Sequence, residues 1–264
     1  MRQESRHIVI TGASSGIGRA IAIRLASEGA RVSLLARRPA ALEETAVLVL
    51  DAAPDSAAFL VPCDVTNRAS LDHAFAAAVR SNGPVHAVVT AAGIGGPNAA
   101  GVDSSDPSDR FDTIVATNLT GTYLSLRAAQ RHLAPGPGPR QMVLISSILG
   151  RFGVPGYTAY CASKAALLGL TRAMALELAP QNVLVNAICP GWVDTGMAWE
   201  GIDGMAKGMG ITRDEAHAIA MSAVPLGRMG KPAEVAGLVS WLLSEDAAGM
   251  TGQGLDPNGG AWMG

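Results

Sequence analysis

The residues of this chain best suited to chemistry are a tyrosine and a lysine four positions apart, in Tyr160-Cys161-Ala162-Ser163-Lys164, with Ser147 thirteen residues before the tyrosine. On a helix, positions i and i+4 share one face about a turn apart, so the phenol and the ammonium project together. A free tyrosine ionises near about 10, and a neighbouring cation favours the phenolate, which predicts a phenol drawn down toward working pH. Such a group gives and takes a proton as a ketone and an alcohol interconvert.

The chain opens with Thr11-Gly12-Ala13-Ser14-Ser15-Gly16-Ile17-Gly18-Arg19, directly after the apolar run His7-Ile10. Glycines on a strand-to-helix turn let the backbone approach a pyrophosphate, and the helix N-terminus behind them faces it. The spacing is Gly-x-x-x-Gly-x-Gly, wider in its first interval than the commoner dinucleotide fingerprint. Coenzyme choice is read at the end of the second strand, where an acidic residue accepts from a ribose hydroxyl and repels a 2′-phosphate. Here that strand ends Leu35-Ala36-Arg37-Arg38. Two guanidiniums and no carboxylate predict NADP(H) in preference to NAD(H), with Arg37 on the phosphate and Arg38 or Ser14 in support. Asp64, after the third strand, reads either as an acceptor for an adenine edge or as an ordinary turn aspartate.

Short β-branched runs alternate with Ala-rich amphipathic segments along the whole chain. His7-Ile10, Arg31-Leu35, Ala58-Val61, Val85-Val89, Gln141-Ile145 and Val183-Ile188 read as strands, and a seventh is expected near Gln253-Asp256. Helices are expected from Gly16 to Glu28, Pro39 to Ala52, Ser70 to Ser81, Ser108 to His132, Tyr157 to Leu178 and Pro232 to Leu243. The alternation predicts an α/β fold: one Rossmann-like domain over residues 1–264, with a doubly wound parallel sheet of about seven strands flanked by helices. The run Ala134-Pro135-Gly136-Pro137-Gly138-Pro139 reads as a surface loop before the fifth strand.

With 264 residues and 48% hydrophobic content, the chain is long enough for one well-buried domain. A net charge of -2 and a pI near 6.2, without runs of like charge, offer no general attraction to nucleic acid or anionic membrane, and neither is expected as a partner. Gly, Pro or charge interrupts every apolar run well short of ~18 residues, so the mean hydropathy of +0.26 reflects alanine and not a membrane span. No apolar signal core precedes the first strand, which predicts a cytoplasmic protein. Cys63, Cys161 and Cys189 are widely spaced and lack a CxxC pattern, as suits reduced thiols. The histidines show no ligand spacing either, and no metal is expected.

Thr11-Gly12 to Gly18, Asp64, Ala92-Gly93, Asn118-Leu119-Thr120-Gly121, Ser146-Ser147, Tyr160 to Lys164 and Pro190-Gly191-Trp192-Val193-Asp194-Thr195 together form a highly specific combination. In these motifs, and over nearly its whole length from Ile8 to Gly260, the chain resembles the short-chain dehydrogenase/reductase family. The resemblance implies a catalytic tetrad of Asn118, Ser147, Tyr160 and Lys164. In it Ser147 holds the substrate oxygen and Tyr160 exchanges the proton. Lys164 holds the nicotinamide ribose and lowers the Tyr160 pKa, and Asn118 anchors a proton-relaying water. The resemblance also implies a coenzyme cradle. Gly12, Ser14, Ser15, Gly16, Ile17 and Gly18 form its turn, Arg37, Arg38, Asp64 and Val65 its adenosine end, and Ala92 and Gly93 a close approach of backbone. Pro190, Gly191, Val193 and Thr195 join Tyr160 and Lys164 around the nicotinamide. One departure is visible: the family usually shows Asn-Asn-Ala-Gly where this chain reads Thr90-Ala91-Ala92-Gly93.

Residues 196–224 fall where the family places a mobile substrate lid. Met197, Trp199, Met205, Met209 and Met221 suit an adaptable apolar cover there, with Trp192 and Tyr157 as further walls. With no evident cationic pocket, a neutral ketone or a thioester-linked 3-oxoacyl group is the expected substrate. The closing portion, from Pro225-Leu226-Gly227-Arg228 to Gly260, is similar to that of 3-oxoacyl reductases and their carbonyl-reductase relatives. Carrier-protein-dependent members often place Arg where this chain has Gln181, which leaves a carrier-protein partner unsupported. The resemblance therefore implies an NADPH-dependent reductase of a small-molecule carbonyl, assembled as a homotetramer through its paired long helices. The alternatives are an NAD(P)-dependent alcohol or hydroxysteroid-type dehydrogenase acting oxidatively, and a nucleotide-sensing module without turnover.

Overall fold

The computed structural model describes residues 3–56, 58–98 and 109–264. The aliphatic runs of the sequence become strands because both of their faces are covered, the environment that near-continuous hydrophobic segments require. In chain order the strands are β1 (His7–Thr11), β2 (Arg31–Ala36), β3 (Ala58–Pro62), β4 (Ala87–Thr90), β5 (Arg140–Ile145), β6 (Val183–Ile188) and β7 (Gly254–Leu255). They form one sheet in the order β3-β2-β1-β4-β5-β6-β7, every pair parallel. The order reverses between β1 and β4, and ligands of such sheets bind in the crevice at the carboxyl ends of the strands around that reversal.

Helices α1 (Gly16–Ser27), α2 (Pro39–Ala52) and α9 (Pro232–Leu242) cover one face, burying Ile21, Leu25, Leu42 and Val239. On the other face α3 (Arg68–Asn82), α5 (Gly121–Gln130) and α6 (Thr158–Leu178) bury Phe75, Leu126 and Leu167. Each of these large side chains contributes about 1.5–3 kcal/mol by leaving water. Among the described residues, no helix is long and apolar enough to cross a membrane.

Most expected elements are met within two residues at either end, and two of the differences bear on the site. The fourth strand was expected from Val85 but starts at Ala87, because Val85 donates its N–H to the His132 carbonyl and accepts from the Ala134 N–H, joining the segment after α5 in a short bridge. The helix expected from Ser108 to His132 is in fact α4 (Phe111–Val115), a π-helical turn at Ala116–Thr120, and α5; Ser108 itself lies outside the described residues. In the π turn the Gly121 N–H reaches back five residues to the Ala116 carbonyl. Gly121 also packs close on Val65, where a β-carbon would stand 2.7 Å from the valine methyl. Such turns recur at functional sites, and this one carries Asn118.

The region 196–224 is helical. Thr195 caps α7 (Gly196–Met209), Gly210 ends it with a φ of 66°, and a Thr212–Glu215 capping box starts α8 (Arg213–Ser222). The two helices share a small core of their own around Ile202, Ala216 and Met221.

Candidate active site

The coenzyme motifs and Ser147 follow the carboxyl ends of the strands. Gly12, Ser14, Ser15, Gly16, Ile17 and Gly18 form the β1–α1 turn; Arg37 and Arg38 follow β2; Asp64 and Val65 follow β3; Ala92 and Gly93 follow β4. Ser147 follows β5, and Pro190, Gly191, Val193 and Thr195 follow β6. The first turn makes different demands on its glycines. A β-carbon on Gly18 would collide with the Gly12 carbonyl, and one on Gly12 would stand 2.5 Å from the Ala92 nitrogen, so both are demanded by protein packing on protein. Gly16 needs its freedom for a φ of 52° and faces the Thr195 side chain, which a β-carbon would approach to 3.2 Å. The Ser15 side chain makes no capping bond to α1. The first N–H groups of α1 therefore remain available to an anion, as a pyrophosphate cradle requires.

At the β2 and β3 ends, Arg37 is exposed and near enough to Asp64 to act on its charge. Arg37, Pro62, Cys63, Asp64 and Ser70 line a depression of about 350 Å³. Asp64 Oδ1 accepts from both the N–H and the hydroxyl of Thr66, at 2.9 and 2.8 Å, so the turn-forming role is realised here. Those bonds, with a lesser contribution from Arg37, hold its carboxyl below the usual range. Ser14 is buried, and its carbonyl accepts from Arg19 at 2.7 Å.

The reaction centre is assembled from β5, α6 and the π turn. Ser146 donates its hydroxyl to the Lys164 carbonyl at 2.8 Å, seating α6 on the end of the sheet. Ser147 Oγ accepts from the Leu149 N–H at 3.1 Å and lies close enough to the Tyr160 phenol to act on its pKa. Lys164, only 6% exposed, donates from Nζ to the Ile145 carbonyl at 2.9 Å, with Nζ 5.6 Å from the centre of the Tyr160 ring. Asn118 is fully buried; its Nδ2 donates to the Ile94 carbonyl at 3.0 Å and to Ser163 Oγ at 3.2 Å, while Oδ1 accepts from the Ile94 N–H at 2.9 Å. The Asn118 amide thus clamps a backbone. A β-carbon on Gly93 would lie 3.3 Å from Asn118 Oδ1 and 3.5 Å from Lys164 Nζ, so Gly93 opens the space between them.

The electrostatics correct one expectation. The expected lowering of the phenol by Lys164 is not found: burial pushes Tyr160 up, and only the neighbouring Ser147 hydroxyl opposes it. Burial also brings the Lys164 ammonium down to about 8. Desolvation disfavours both charged forms, and no attraction between the two groups offsets it.

The rim comes from α7. Met197 packs on Gly95, whose β-carbon would meet the thioether at 3.1 Å and Tyr160 Cε2 at 3.9 Å, so this methionine stands beside the phenol. Trp192 lies against Gly201 of α7. Trp199 donates to Asp194 Oδ1 at 2.7 Å and stacks on His217 of α8 at 5.2 Å. Gly95, Ile94 and Asn98 are not among the residues expected from the sequence; a Gly- and Pro-rich loop carries no signal of which atoms it will meet.

A family model described as enoyl-(acyl carrier protein) reductase matches residues 12–261. The chain is 34% identical to the 3-oxoacyl-[acyl-carrier-protein] reductase MabA of Mycobacterium tuberculosis, over 98% of this chain and 94% of that protein. The chain belongs to the short-chain dehydrogenase/reductase family. It is 35% identical to the (3R)-3-hydroxyacyl-CoA dehydrogenase of Mus musculus, over 100% of this chain and 98% of that one. An actinorhodin polyketide ketoreductase variant solved with NADPH superposes with a TM-score of 0.88 at 34% identity, covering 99% of each chain. This member of the family is an NAD(P)-dependent oxidoreductase that interconverts a ketone and a secondary alcohol.

Proposed function

We propose that the chain is an NADPH-dependent reductase of a neutral ketone or a 3-oxoacyl thioester, with Asn118, Ser147, Tyr160 and Lys164 as its catalytic residues. The observation that carries the reading is the Ser147 hydroxyl close enough to the Tyr160 phenol to act on its pKa, with the Lys164 ammonium behind the ring. A substrate carbonyl placed between the two hydroxyls accepts from both. Because burial keeps the phenol protonated at neutral pH, Tyr160 is held in its donor form, which suits reduction better than alcohol oxidation. Lys164, at about 8, is mostly an ammonium at neutral pH, placed to hold ribose hydroxyls and to stabilise the phenolate left once the proton has gone. Asn118 serves by fixing the Gly93–Ile94 backbone beside them.

The chain also fits the coenzyme. The uncapped first turn of α1 and the positive φ at Gly16 suit a pyrophosphate, the Pro190–Thr195 loop a carboxamide, and Arg37 with Arg38 a 2′-phosphate that no carboxylate at the end of β2 opposes. When bound, the coenzyme supplies the hydride. A ketoreductase with NADPH among the structural relatives supports the same preference.

Relatives named for carrier-protein and coenzyme A substrates support an acyl thioester, while Gln181 lends docking of a carrier protein no support. The mouse relative, named a dehydrogenase, supports the oxidative direction as the second reading. We further read the chain as one domain with 196–224 as its substrate lid, cytoplasmic, and a homotetramer through α5 and α6. The test is a panel of ketones, 3-oxoacyl thioesters and alcohols with both coenzymes, run on wild type and Tyr160→Phe. Turnover of ketones with NADPH, lost by about 10²–10⁴-fold in the variant, is expected; a variant keeping a tenth of the rate or more (a loss of about 1.4 kcal/mol or less) sinks the acid assignment.

A further inference from the structure

The direction of the first turn of α6 decides where the Tyr160 phenol stands, and the first N–H groups of any helix need acceptors from outside it. The residue before α6, Tyr157, makes no side-chain cap. The acceptor comes from 61 residues away: Asn98 Oδ1 takes the Ala159 N–H at 3.1 Å, and the Asn98 N–H donates to the Gly156 carbonyl at 2.9 Å. Asn98 ends the strap Gly93–Asn98, whose other end is the Ile94 backbone clamped by Asn118. Gly95, between the two, lies beside the Tyr160 ring and under Met197. One short segment therefore ties the buried Asn118 to the turn that bears the phenol.

We propose that Asn98 is a positioning residue for Tyr160: it caps α6 in place of the missing local cap and holds the phenol in register with Ser147 and Lys164. The proposal rests on the reading of Tyr160 as the proton donor. Asn98 touches the helix backbone and not the reacting atoms, so its loss acts on kcat more than on binding. A displacement of the order of 1 Å at a reacting group costs up to about a hundredfold in rate.

The experiment compares full-length wild type, Asn98→Ala, Asn98→Asp and Tyr160→Phe. It reads kcat and KM on the best ketone, NADPH affinity, the pH profile of kcat, and amide hydrogen exchange at Ala159. Asn98→Ala is expected to lose about ten- to a hundredfold in kcat, with KM and NADPH affinity within about twofold and Ala159 exchange faster. Asn98→Asp, which keeps the acceptor, is expected to restore both rate and protection. Unchanged Ala159 exchange in Asn98→Ala overturns the proposal, as does unchanged kcat, or an Asp variant no better than Ala. A Tyr160→Phe variant that keeps its rate overturns the acid assignment by itself, and the exchange measurement then decides separately whether Asn98 caps the helix.

Discussion

Replacing Lys164 by methionine is expected to stabilise the protein while destroying its activity. Burial brings this ammonium from its ordinary 10.5 down to about 8. At about 1.4 kcal/mol per unit, keeping it charged in the folded state costs about 3 kcal/mol. Methionine has similar length and no charge. Losing the 2.9 Å bond from the ammonium to the Ile145 carbonyl takes back about 1.5–3 kcal/mol, leaving a gain of up to about 2 kcal/mol at pH 7. The pH dependence identifies the cause. A lysine depressed on folding adds stability above its unfolded value of 10.5 and loses it as pH falls through about 8. The advantage of the methionine variant should thus be full below pH 8, shrink between 8 and 10.5, and vanish or reverse above. Other groups titrate equally in both proteins and cancel in the difference. Urea unfolding of both at pH 7, 8, 9 and 10 measures it, with turnover and NADPH affinity read in parallel and both expected to fall. A methionine variant less stable than wild type at pH 7, or a difference independent of pH, would refute the reasoning.

Arg37→Ala should weaken NADPH by about ten- to a hundredfold, the worth of a charge-assisted contact, and leave NADH little changed; Ala36→Asp with Arg37→Ala should reverse the preference, and a wild type preferring NADH contradicts this. His7 is fully buried, donating from Nδ1 to the Gly83 carbonyl at 2.7 Å and accepting at Nε2 from Ser33 at 2.8 Å, and burial above all lowers it to about 4. A depressed histidine gives its full stability above 6.5 and loses roughly 3 kcal/mol as pH falls toward 4, so urea midpoints should drop across that window in wild type and stay flatter in His7→Gln. Met197→Ala should raise kcat/KM for ketones with bulky substituents relative to small ones by about tenfold, since it clears the wall beside Tyr160; equal changes for both classes count against its place in the pocket.

The order of strands and helices was legible because a parallel sheet covered on both faces demands apolar runs alternating with amphipathic ones, a pattern written locally in segments such as Val183–Ile188 and Pro39–Ala52. The Tyr160–Lys164 spacing and the Gly-rich turn were equally local. The tertiary structure decided the rest. Gly12 and Gly18 spend their missing β-carbons on protein neighbours, one of them Ala92, a partner that no nearby residue announces. The π turn at Asn118 left no periodicity signal, because five residues with ordinary helical neighbours differ only in which carbonyl the Gly121 N–H reaches. Helix spacing puts the phenol and ammonium on one face, but the direction in which Tyr160 shifts depends on how much water α6, β5 and the strap exclude. The cap on α6 is likewise non-local, supplied by Asn98 across 61 residues. Sequence determines which groups are present and how a single element presents them; folding determines what those groups touch, and contact with water, charge or backbone is what fixes their chemistry.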